Sequence, residues 1–264
     1  MKRAETAVHT LAPGEPGGPL IVLAHGLEDR WTSWVPMVAA LDPSWRMLAL
    51  DLPWRSGNDY RWHHRSSAQW LDEALEQVGE QPDVLIAHSY GANAALNLLC
   101  EPEPRPIPAL LLICPLYRQP QHPVTWRMFE RARTAFAEHI AEGVRARLRN
   151  RLEAMEPDVL RTMIELAQDR VGPAGFVTVF SQFIASADLP LEAVEVPSLV
   201  LAGGADATLS PEAATALAAA ISGGRLHIDE GFDHFCHIRQ ATGVAAHVAE
   251  FVASTALPTV GDYR

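Results

Sequence analysis

The chain has 264 residues, 48% of them hydrophobic, which is enough to bury the core of one large domain or two small ones. Its formal net charge of −11 has the wrong sign for neutralising nucleic-acid phosphates, so we expect no nucleic-acid partner. No apolar stretch has the length of a membrane span or follows the amino terminus as an export signal would. The three cysteines are widely spaced, which favours free thiols in a reducing compartment. We therefore expect a cytoplasmic protein that does not bind membranes.

Short apolar runs alternate with helical patterns, which is typical of an α/β fold with a mostly parallel central sheet covered by helices. Most of the runs are continuously apolar, as strands buried on both faces should be. The candidate strands, in chain order, are an edge strand at Thr6 to Leu11, then Leu20 to Ala24, Arg46 to Leu50, Val84 to Ala87, Ala109 to Cys114, Ser198 to Ala202 and Arg225 to Ile228.

Helix signals fall between these strands. Ser66 and Gln69 can form a capping box, and Ser210 is a good N-cap before a proline at the first helical position. We expect the chain after Pro258 to be disordered. The helices predicted from end signals and apolar stripes are Ser66 to Val78, Pro211 to about Ile221 and about Gln240 to Ser254.

Residues 117–190 break the alternation, because they contain helical patterns without a convincing strand. We interpret residues 1–116 and 191–264 as an α/β core and residues 117–190 as a helical insertion. From Arg118 to Arg151 the insertion has eight arginines against three glutamates. The simpler interpretation is a solvated helix face. The alternative is a landing surface for an acidic carrier protein or a carboxylated substrate.

The clearest chemical signal is a serine between an apolar strand and a helix. Ser89 is the centre of a small-x-Ser-x-small pentapeptide, with Ala87 and Gly91 at the small positions. So sharp a turn strains the backbone of the serine and leaves room only for small neighbours. It presents the hydroxyl above the sheet and points the first N–H groups of the helix at an oxyanion forming there. The pattern predicts a nucleophile elbow.

A serine hydroxyl is a poor nucleophile unless a base takes its proton and a third group orients that base. Asp206 follows the glycine-rich end of a later strand, and His234 lies in the loop before the final helix. We predict Asp206 as the acid and His234 as the base.

The order of these residues, serine then acid then histidine, is that of the α/β-hydrolase superfamily. The chain resembles this superfamily over nearly its whole length apart from the insertion. The Gly-x-x-His match also favours His234 over His237 as the base. Five motifs carry the resemblance: Leu23-Ala24-His25-Gly26-Leu27, Asp51-Leu52-Pro53, Ala87-His88-Ser89-Tyr90-Gly91, Gly203 to Asp206, and Gly231 to His234.

The resemblance implies an oxyanion hole formed by the N–H groups of Leu27 and Tyr90. It also implies that the insertion is a lid that shapes the substrate pocket. Trp31, after the oxyanion loop, and Trp126, where the lid begins, are the candidates for an aromatic-lined pocket. No metal or cofactor is required by this chemistry, and we expect none.

Three positions depart from the superfamily pattern. Ala87 stands where the elbow usually has its first glycine, and Trp54 stands in a turn that is normally tight. Asp233 lies beside the predicted base, where its carboxylate could hold His234 protonated or contact the substrate. The sequence leaves both roles of Asp233 open.

Because position 89 is serine and not aspartate, the resemblance argues against the dehalogenase and epoxide-hydrolase branches, whose covalent ester forms on a carboxylate. We expect a serine hydrolase that cleaves a carboxylic ester, thioester or lactone of a small apolar molecule through an acyl-enzyme. A carbon–carbon bond hydrolase or a biosynthetic cyclase with the same triad stays open, as does a ligand-binding protein without turnover. An acyl carrier protein is a further candidate partner.

Overall fold

The computed structural model describes residues 5–58 and 60–255, so the predicted disordered tail after Pro258 lies outside the described residues. Seven strands form one sheet in the order β1-β3-β2-β4-β5-β6-β7. Only the pair of β1 with β3 is antiparallel. The predicted α/β fold with a mostly parallel sheet is therefore confirmed. The strands are β1 (Ala7–Ala12), β2 (Leu20–Ala24), β3 (Arg46–Asp51), β4 (Val84–His88), β5 (Leu110–Ile113), β6 (Ser198–Gly203) and β7 (Gly224–Asp229).

The helices begin and end close to the residues that the sequence signals indicate. The hydroxyl of Ser66 accepts the N–H of Gln69 at 3.1 Å, and the Gln69 side chain accepts the N–H of Ser66 at 3.0 Å, which confirms the capping box. The α-helices are α1 (Val35–Val38), α2 (Ser67–Val78), α3 (Tyr90–Leu99), α4 (Trp126–Leu148), α5 (Pro157–Ala185), α6 (Pro211–Ala220), α7 (Cys236–Arg239) and α8 (Ala241–Ser254). Short 3-10 helices lie at Trp31–Trp34, Tyr60–His64, Arg149–Arg151, Ser186–Asp188 and Leu191–Ala193.

The sheet separates two apolar cores because its central strands bury both faces. One core contains side chains of α2, α3 and α6, and the other contains side chains of α1 and α8. Every residue of β2, β4 and β6 is buried, which explains their continuously apolar sequences. Within the described residues, no helix is long and apolar enough to span a bilayer.

Residues 117–190 contain two long helices, α4 and α5, which pack against each other. Phe129, Phe136, Phe176 and Phe180 meet between them, with ring centroids 5.2 to 5.6 Å apart in each contact. Helix α5 is broken at Gly172, which has φ 53° and precedes a proline. A residue before proline avoids the helical conformation, and glycine adopts the left-handed region without a steric penalty.

The ends of three strands bring the predicted chemical residues to one edge of the sheet. Ser89 follows β4 directly, Asp206 follows β6, and His234 follows β7. These strands are parallel, so their carboxyl ends lie at the same edge, where open α/β sheets place their ligand sites.

Candidate active site

Ser89 occupies the sharp turn between β4 and α3. Its φ of 51° and ψ of −120° lie in a region that side-chain-bearing residues rarely adopt, so the backbone is strained there. A Cβ added at Gly91 would lie 2.5 Å from the carbonyl oxygen of His25, so only glycine fits at that position. Ala87 is fully buried in β4, and its methyl group is accommodated.

Two hydrogen bonds join Ser89, His234 and Asp206. The hydroxyl of Ser89 donates to Nε2 of His234 at 2.9 Å, and the Nδ1–H of His234 donates to Oδ2 of Asp206 at 2.9 Å. All three residues are buried, and Ser89 is only 5% exposed. The structure thus brings together three residues that are distant in the sequence.

Thr208 makes a contact with the triad that no pattern in the sequence predicts. Its hydroxyl and its backbone N–H both donate to Oδ1 of Asp206 at 2.7 Å, and the hydroxyl oxygen lies 2.7 Å from Nδ1 of His234. One carboxylate oxygen of Asp206 therefore accepts hydrogen bonds from Thr208, and the other accepts one from His234. These hydrogen bonds hold both oxygens of the carboxylate in place beside the imidazole.

The carboxyl group of Asp206 is ionised in this arrangement. Burial by itself would raise its pKa, but the charge and hydrogen bond of His234 and the two hydrogen bonds from Thr208 lower the pKa below its usual range. An ionised Asp206 keeps the Nδ1–H of His234 as a donor and leaves Nε2 free to accept the proton of Ser89.

The loop after β2 is held against the elbow through His25. The backbone N–H of Leu52 donates to Nε2 of His25 at 3.0 Å, and Nδ1–H of His25 donates to the carbonyl of Gly26 at 2.8 Å. Burial lowers the pKa of His25, so its imidazole is neutral. The indole N–H of Trp54 donates to the His25 carbonyl at 2.9 Å. The large aromatic that departs from the superfamily pattern therefore supports this loop.

Two backbone N–H groups are the predicted oxyanion hole. Tyr90 is the first residue of α3, and the first N–H groups of a helix have no partner inside it. Leu27 follows Gly26, where a Cβ would lie 3.1 Å from the Cβ of Ser89. The loop thus approaches the serine closely, and the binding of an oxyanion by Leu27 and Tyr90 stays a prediction.

Asp233 does not contact the imidazole of His234 in the structure. One of its oxygens accepts the N–H of Phe235 at 2.8 Å, and the other accepts from Arg239 at 2.6 Å. Its carboxylate therefore holds the backbone just before α7 and pairs with Arg239. Among the described residues no hydrogen bond joins this carboxylate to the imidazole of His234, and contact with a substrate stays open.

The other histidines of these loops have structural partners. His88 donates from Nε2 to the carbonyl of His234 at 2.8 Å, and burial together with neighbouring histidines lowers its pKa well below the usual range. His237 is buried in α7, with Nε2 at 3.3 Å from Oδ2 of Asp29. Neither histidine hydrogen-bonds Ser89.

His139 of α4 is a site residue that the sequence analysis missed. Its ring lies 4.4 Å from the ring of His234 and nearly perpendicular to it, and 5.2 Å from the ring of Phe235. Burial is the main cause that lowers the pKa of His139 to about 3, with a further contribution from His234. Nothing in the sequence of a long helix marks which of its faces meets the triad.

Acid should destabilise the fold partly through His139. An unfolded histidine titrates near pH 6.5, so below that pH the unfolded chain binds a proton that folded His139 does not. The contribution of neutral His139 to the free energy of unfolding is therefore fully present above pH 6.5 and is lost as the pH falls below that value. The loss between pH 8 and pH 5 is on the order of 2 kcal/mol for this one group. Urea unfolding at both pH values measures it.

The variant His139→Phe keeps an aromatic ring in α4 but cannot titrate. Its free energy of unfolding should therefore decrease less between pH 8 and pH 5 than that of the wild type. His122→Phe, which changes an exposed histidine, should show the wild-type decrease. An unchanged pH dependence in His139→Phe would contradict the assignment.

The two tryptophans predicted to line a pocket have their ring contacts with residues outside the triad. Trp31 stacks on His9 of β1, with ring centroids 4.2 Å apart. Trp126 is 81% exposed and contacts Phe129 at 5.8 Å. Within the described part of the chain, no ring or hydrogen-bond contact joins either tryptophan to the triad, so their pocket role stays a prediction.

Among residues 5–58 and 60–255, three groups of side chains have metal-ligand atoms within 4.8 Å of one another. In the group of Cys114, Asp206 and His234, both ring nitrogens of the histidine are already hydrogen-bonded. The other groups are Asp29 with His88 and His237, and His227 with Asp229 and His247. The last of these lies on β7 and α8, away from Ser89 in the sequence and the sheet.

Comparison with known proteins extends these observations. The model of the alpha/beta hydrolase family matches residues 21–247. The chain is 33% identical over 101 residues to epoxide hydrolase 4 of Mus musculus, a match that covers 36% of this chain and 28% of that relative. It is 35% identical over 96 residues to epoxide hydrolase B of Mycobacterium tuberculosis, covering 34% of this chain and 24% of that relative.

Solved structures resemble the whole chain. The enol-lactonase from Burkholderia xenovorans LB400 has a TM-score of 0.63 and 23% identity, covering 94% of this chain and 96% of its own. A bromoperoxidase from Bacillus anthracis has a TM-score of 0.65 and 18% identity, covering 94% of this chain and 95% of its own. At these identities the likeness establishes a shared fold and nothing finer.

Proposed function

Because the chain belongs to the alpha/beta hydrolase family, we propose that it is a serine hydrolase with Ser89 as nucleophile, His234 as base and Asp206 as the acid that orients the base. The observation that carries the proposal is the continuous pair of 2.9 Å hydrogen bonds from the hydroxyl of Ser89 through His234 to Asp206. Such a relay is what an alcohol needs in order to act as a nucleophile near neutral pH.

The proposed reaction proceeds in two halves. Oγ of Ser89 attacks the carbonyl carbon of the substrate while Nε2 of His234 takes the hydroxyl proton, and the carbonyl electrons move to the oxygen. When the tetrahedral intermediate collapses, the leaving alcohol or thiol receives that proton from His234, and the acyl group stays on Ser89. Water then attacks the acyl-enzyme, gives a proton to His234, and releases the carboxylic acid as Ser89 regains its hydrogen.

The oxyanion of each tetrahedral intermediate would accept hydrogen bonds from the N–H groups of Leu27 and Tyr90. Backbone donors fixed in advance stabilise such a charge without reorganising. The close approach of the Gly26 backbone to the Ser89 side chain and the position of Tyr90 at the start of α3 support this assignment.

Residues 117–190 would act as a lid over the triad. His139 of α4 contacts the ring of His234, and Arg170 of α5 pairs at 2.8 Å with Glu28 in the oxyanion loop. Because Ser89 is only 5% exposed, a substrate reaches it after these helices move. The break at Gly172, two residues beyond Arg170, is a suitable point for such a movement.

A small, largely apolar acyl compound suits the surroundings of the triad. Phe136 and His139 lie three residues apart on α4, so they share a face of that helix. The phenylalanine cluster between α4 and α5 therefore adjoins the histidine that contacts His234.

The names of the relatives favour different chemistries, and Ser89 distinguishes among them. The curated relatives are epoxide hydrolases. In that branch of the superfamily the covalent ester intermediate forms on a carboxylate. This chain has a hydroxyl at that position. The structural neighbour named as an enol-lactonase agrees better with ester or lactone cleavage. Carbon–carbon bond hydrolysis and cyclisation remain the alternatives for the same triad.

A fluorophosphonate probe tests the proposal directly, because it labels only an activated serine. We expect labelling of the wild-type protein and none of Ser89→Ala. A panel of p-nitrophenyl esters of graded acyl length, thioesters, lactones and a styrene epoxide then separates the reaction classes. Failure of the wild-type protein to react with the probe would indicate a ligand-binding protein instead. Turnover of the epoxide alone would contradict acyl chemistry.

A further inference from the structure

A cavity lies beside the oxyanion loop, and none of the residues of the proposed triad lines it. Its volume is about 950 Å³, within the range of small-molecule sites. The 3-10 helix Trp31–Trp34, the carboxyl end of α4 and the middle of α5 contribute to its walls. No aspartate or glutamate is among the described residues that line it. Five arginines do so: Arg30, Arg147, Arg149, Arg151 and Arg170.

Among the described residues, one of these arginines forms an ion pair across the cavity wall. Arg170 pairs with Glu28, which is 2% exposed. For the other four, no carboxylate of residues 5–58 or 60–255 lies within ion-pair distance of the guanidinium, and Arg147 makes no side-chain hydrogen bond to those residues. Elsewhere on α4 the situation differs, since Arg133 pairs with Glu130 and Arg145 with Glu138.

Arg147 is an arginine of the cavity whose surroundings shift its pKa. It is half-buried, and the loss of hydration lowers its pKa. The carboxylates of Asp29 and Glu28 raise the pKa, whereas the positive charges of Arg30 and Arg170 lower it. Arg147 thus lies in a partly dehydrated space with other guanidinium groups nearby, where a bound anion would interact with these charges more strongly than in bulk water.

We propose that this cavity binds a small molecule that carries a phosphate monoester or diphosphate group. The planar guanidinium forms paired hydrogen bonds to phosphate oxygens, and several converging arginines match a group with more than one negative charge. Val35, Val144, Leu148 and Leu166 form an apolar part of the wall that could hold the remainder of such a molecule. In a chain with a net charge of −11, this local excess of positive charge is a specific feature.

The proposal goes beyond the proposed hydrolysis and can be tested without it. Isothermal titration calorimetry with inorganic pyrophosphate at low ionic strength measures binding to the wild-type protein and to Arg147→Gln. We expect Arg147→Gln to weaken binding about tenfold or more, because a charge-assisted pair of hydrogen bonds is lost. Arg131→Gln is the matched control, since it removes the same charge from an exposed position of α4 outside the cavity and should bind as the wild type does.

Further variants make each outcome decisive. Arg147→Lys keeps the charge without the fork and should give intermediate affinity. If circular dichroism shows that Arg147→Gln does not fold, Arg30→Gln, which changes an exposed side chain, takes its place with the same expected weakening.

Equal binding by the cavity variant and Arg131→Gln, or no binding of millimolar pyrophosphate by the wild type, overturns the proposal. Tighter binding of citrate than of pyrophosphate overturns the assignment to phosphate. Ser89→Ala should bind pyrophosphate normally even if the proposed function fails.

Discussion

Replacing Ser89 by alanine should lower kcat for the best ester, thioester or lactone substrate by at least about a thousandfold. The hydroxyl of Ser89 hydrogen-bonds Nε2 of His234 at 2.9 Å, and within the described residues no other hydroxyl hydrogen-bonds that nitrogen. The strained φ of 51° is equally available to alanine, so the fold should be retained. Steady-state kinetics and a thermal unfolding curve measure the two effects separately.

Ser198→Ala is the matched control for this experiment. Ser198 is a buried serine at the start of β6, and its hydroxyl donates to the carbonyl of Val196 at 2.8 Å. It lies at the opposite end of the strand from the loop that carries Asp206, so kcat should stay near the wild-type value. Turnover by Ser89→Ala within tenfold of the wild type would reject Ser89 as the nucleophile.

The sequence predicted the fold well because the signals that specify a parallel sheet are local. Apolar runs, most of them continuous, indicated all seven strands, and residues with strong cap chemistry, such as Ser66, marked the ends of helices. The family resemblance is confirmed by the match over residues 21–247. No strand end differs from the prediction by more than one residue, and pairing with a neighbouring strand decides where a strand stops.

The site was only partly visible in the sequence. Ser89 stood out because an elbow requires small neighbours at fixed spacing, and the acid and base followed from strand order. Thr208 and His139 gave no comparable signal, because their contacts depend on how a loop closes on Asp206 and on which face of α4 meets His234. A short hydroxyl two residues after an acid is common in turns and indicates nothing about catalysis.

The composition of the arginine-rich segment from Arg118 to Arg151 likewise did not reveal the environments of its individual side chains. Its composition favoured a solvated helix face, and that interpretation suits Arg133, which is exposed and paired with Glu130. Arg147, on the same helix, faces the cavity, and Arg118 is buried with its guanidinium on the carbonyls of Ile184 and His122. Side chains with the same charge thus have three different environments, which only the packing of α4 and α5 distinguishes.

Asp206→Asn should lower kcat/KM by roughly ten-thousandfold while the fold is retained, because it reverses the tautomer of His234. The N–H of Thr208 donates to Oδ1 of Asp206 at 2.7 Å, so the oxygen of the new amide would stay at that position. Its NH₂ group would then face Nδ1 of His234 and make that nitrogen an acceptor. Nε2 would carry the proton and could no longer accept one from Ser89.

Thr208→Val separates this effect from a general loosening of the loop. The variant removes the hydroxyl that donates to Oδ1 of Asp206 but keeps the backbone N–H on the same oxygen, so the tautomer of His234 is preserved. We expect a loss in kcat/KM of about tenfold, the usual effect of one hydrogen bond to a charged group. Comparable losses in the two variants would show that Asp206 acts through packing, and the assignment of Asp206 as the acid that orients His234 would then be wrong.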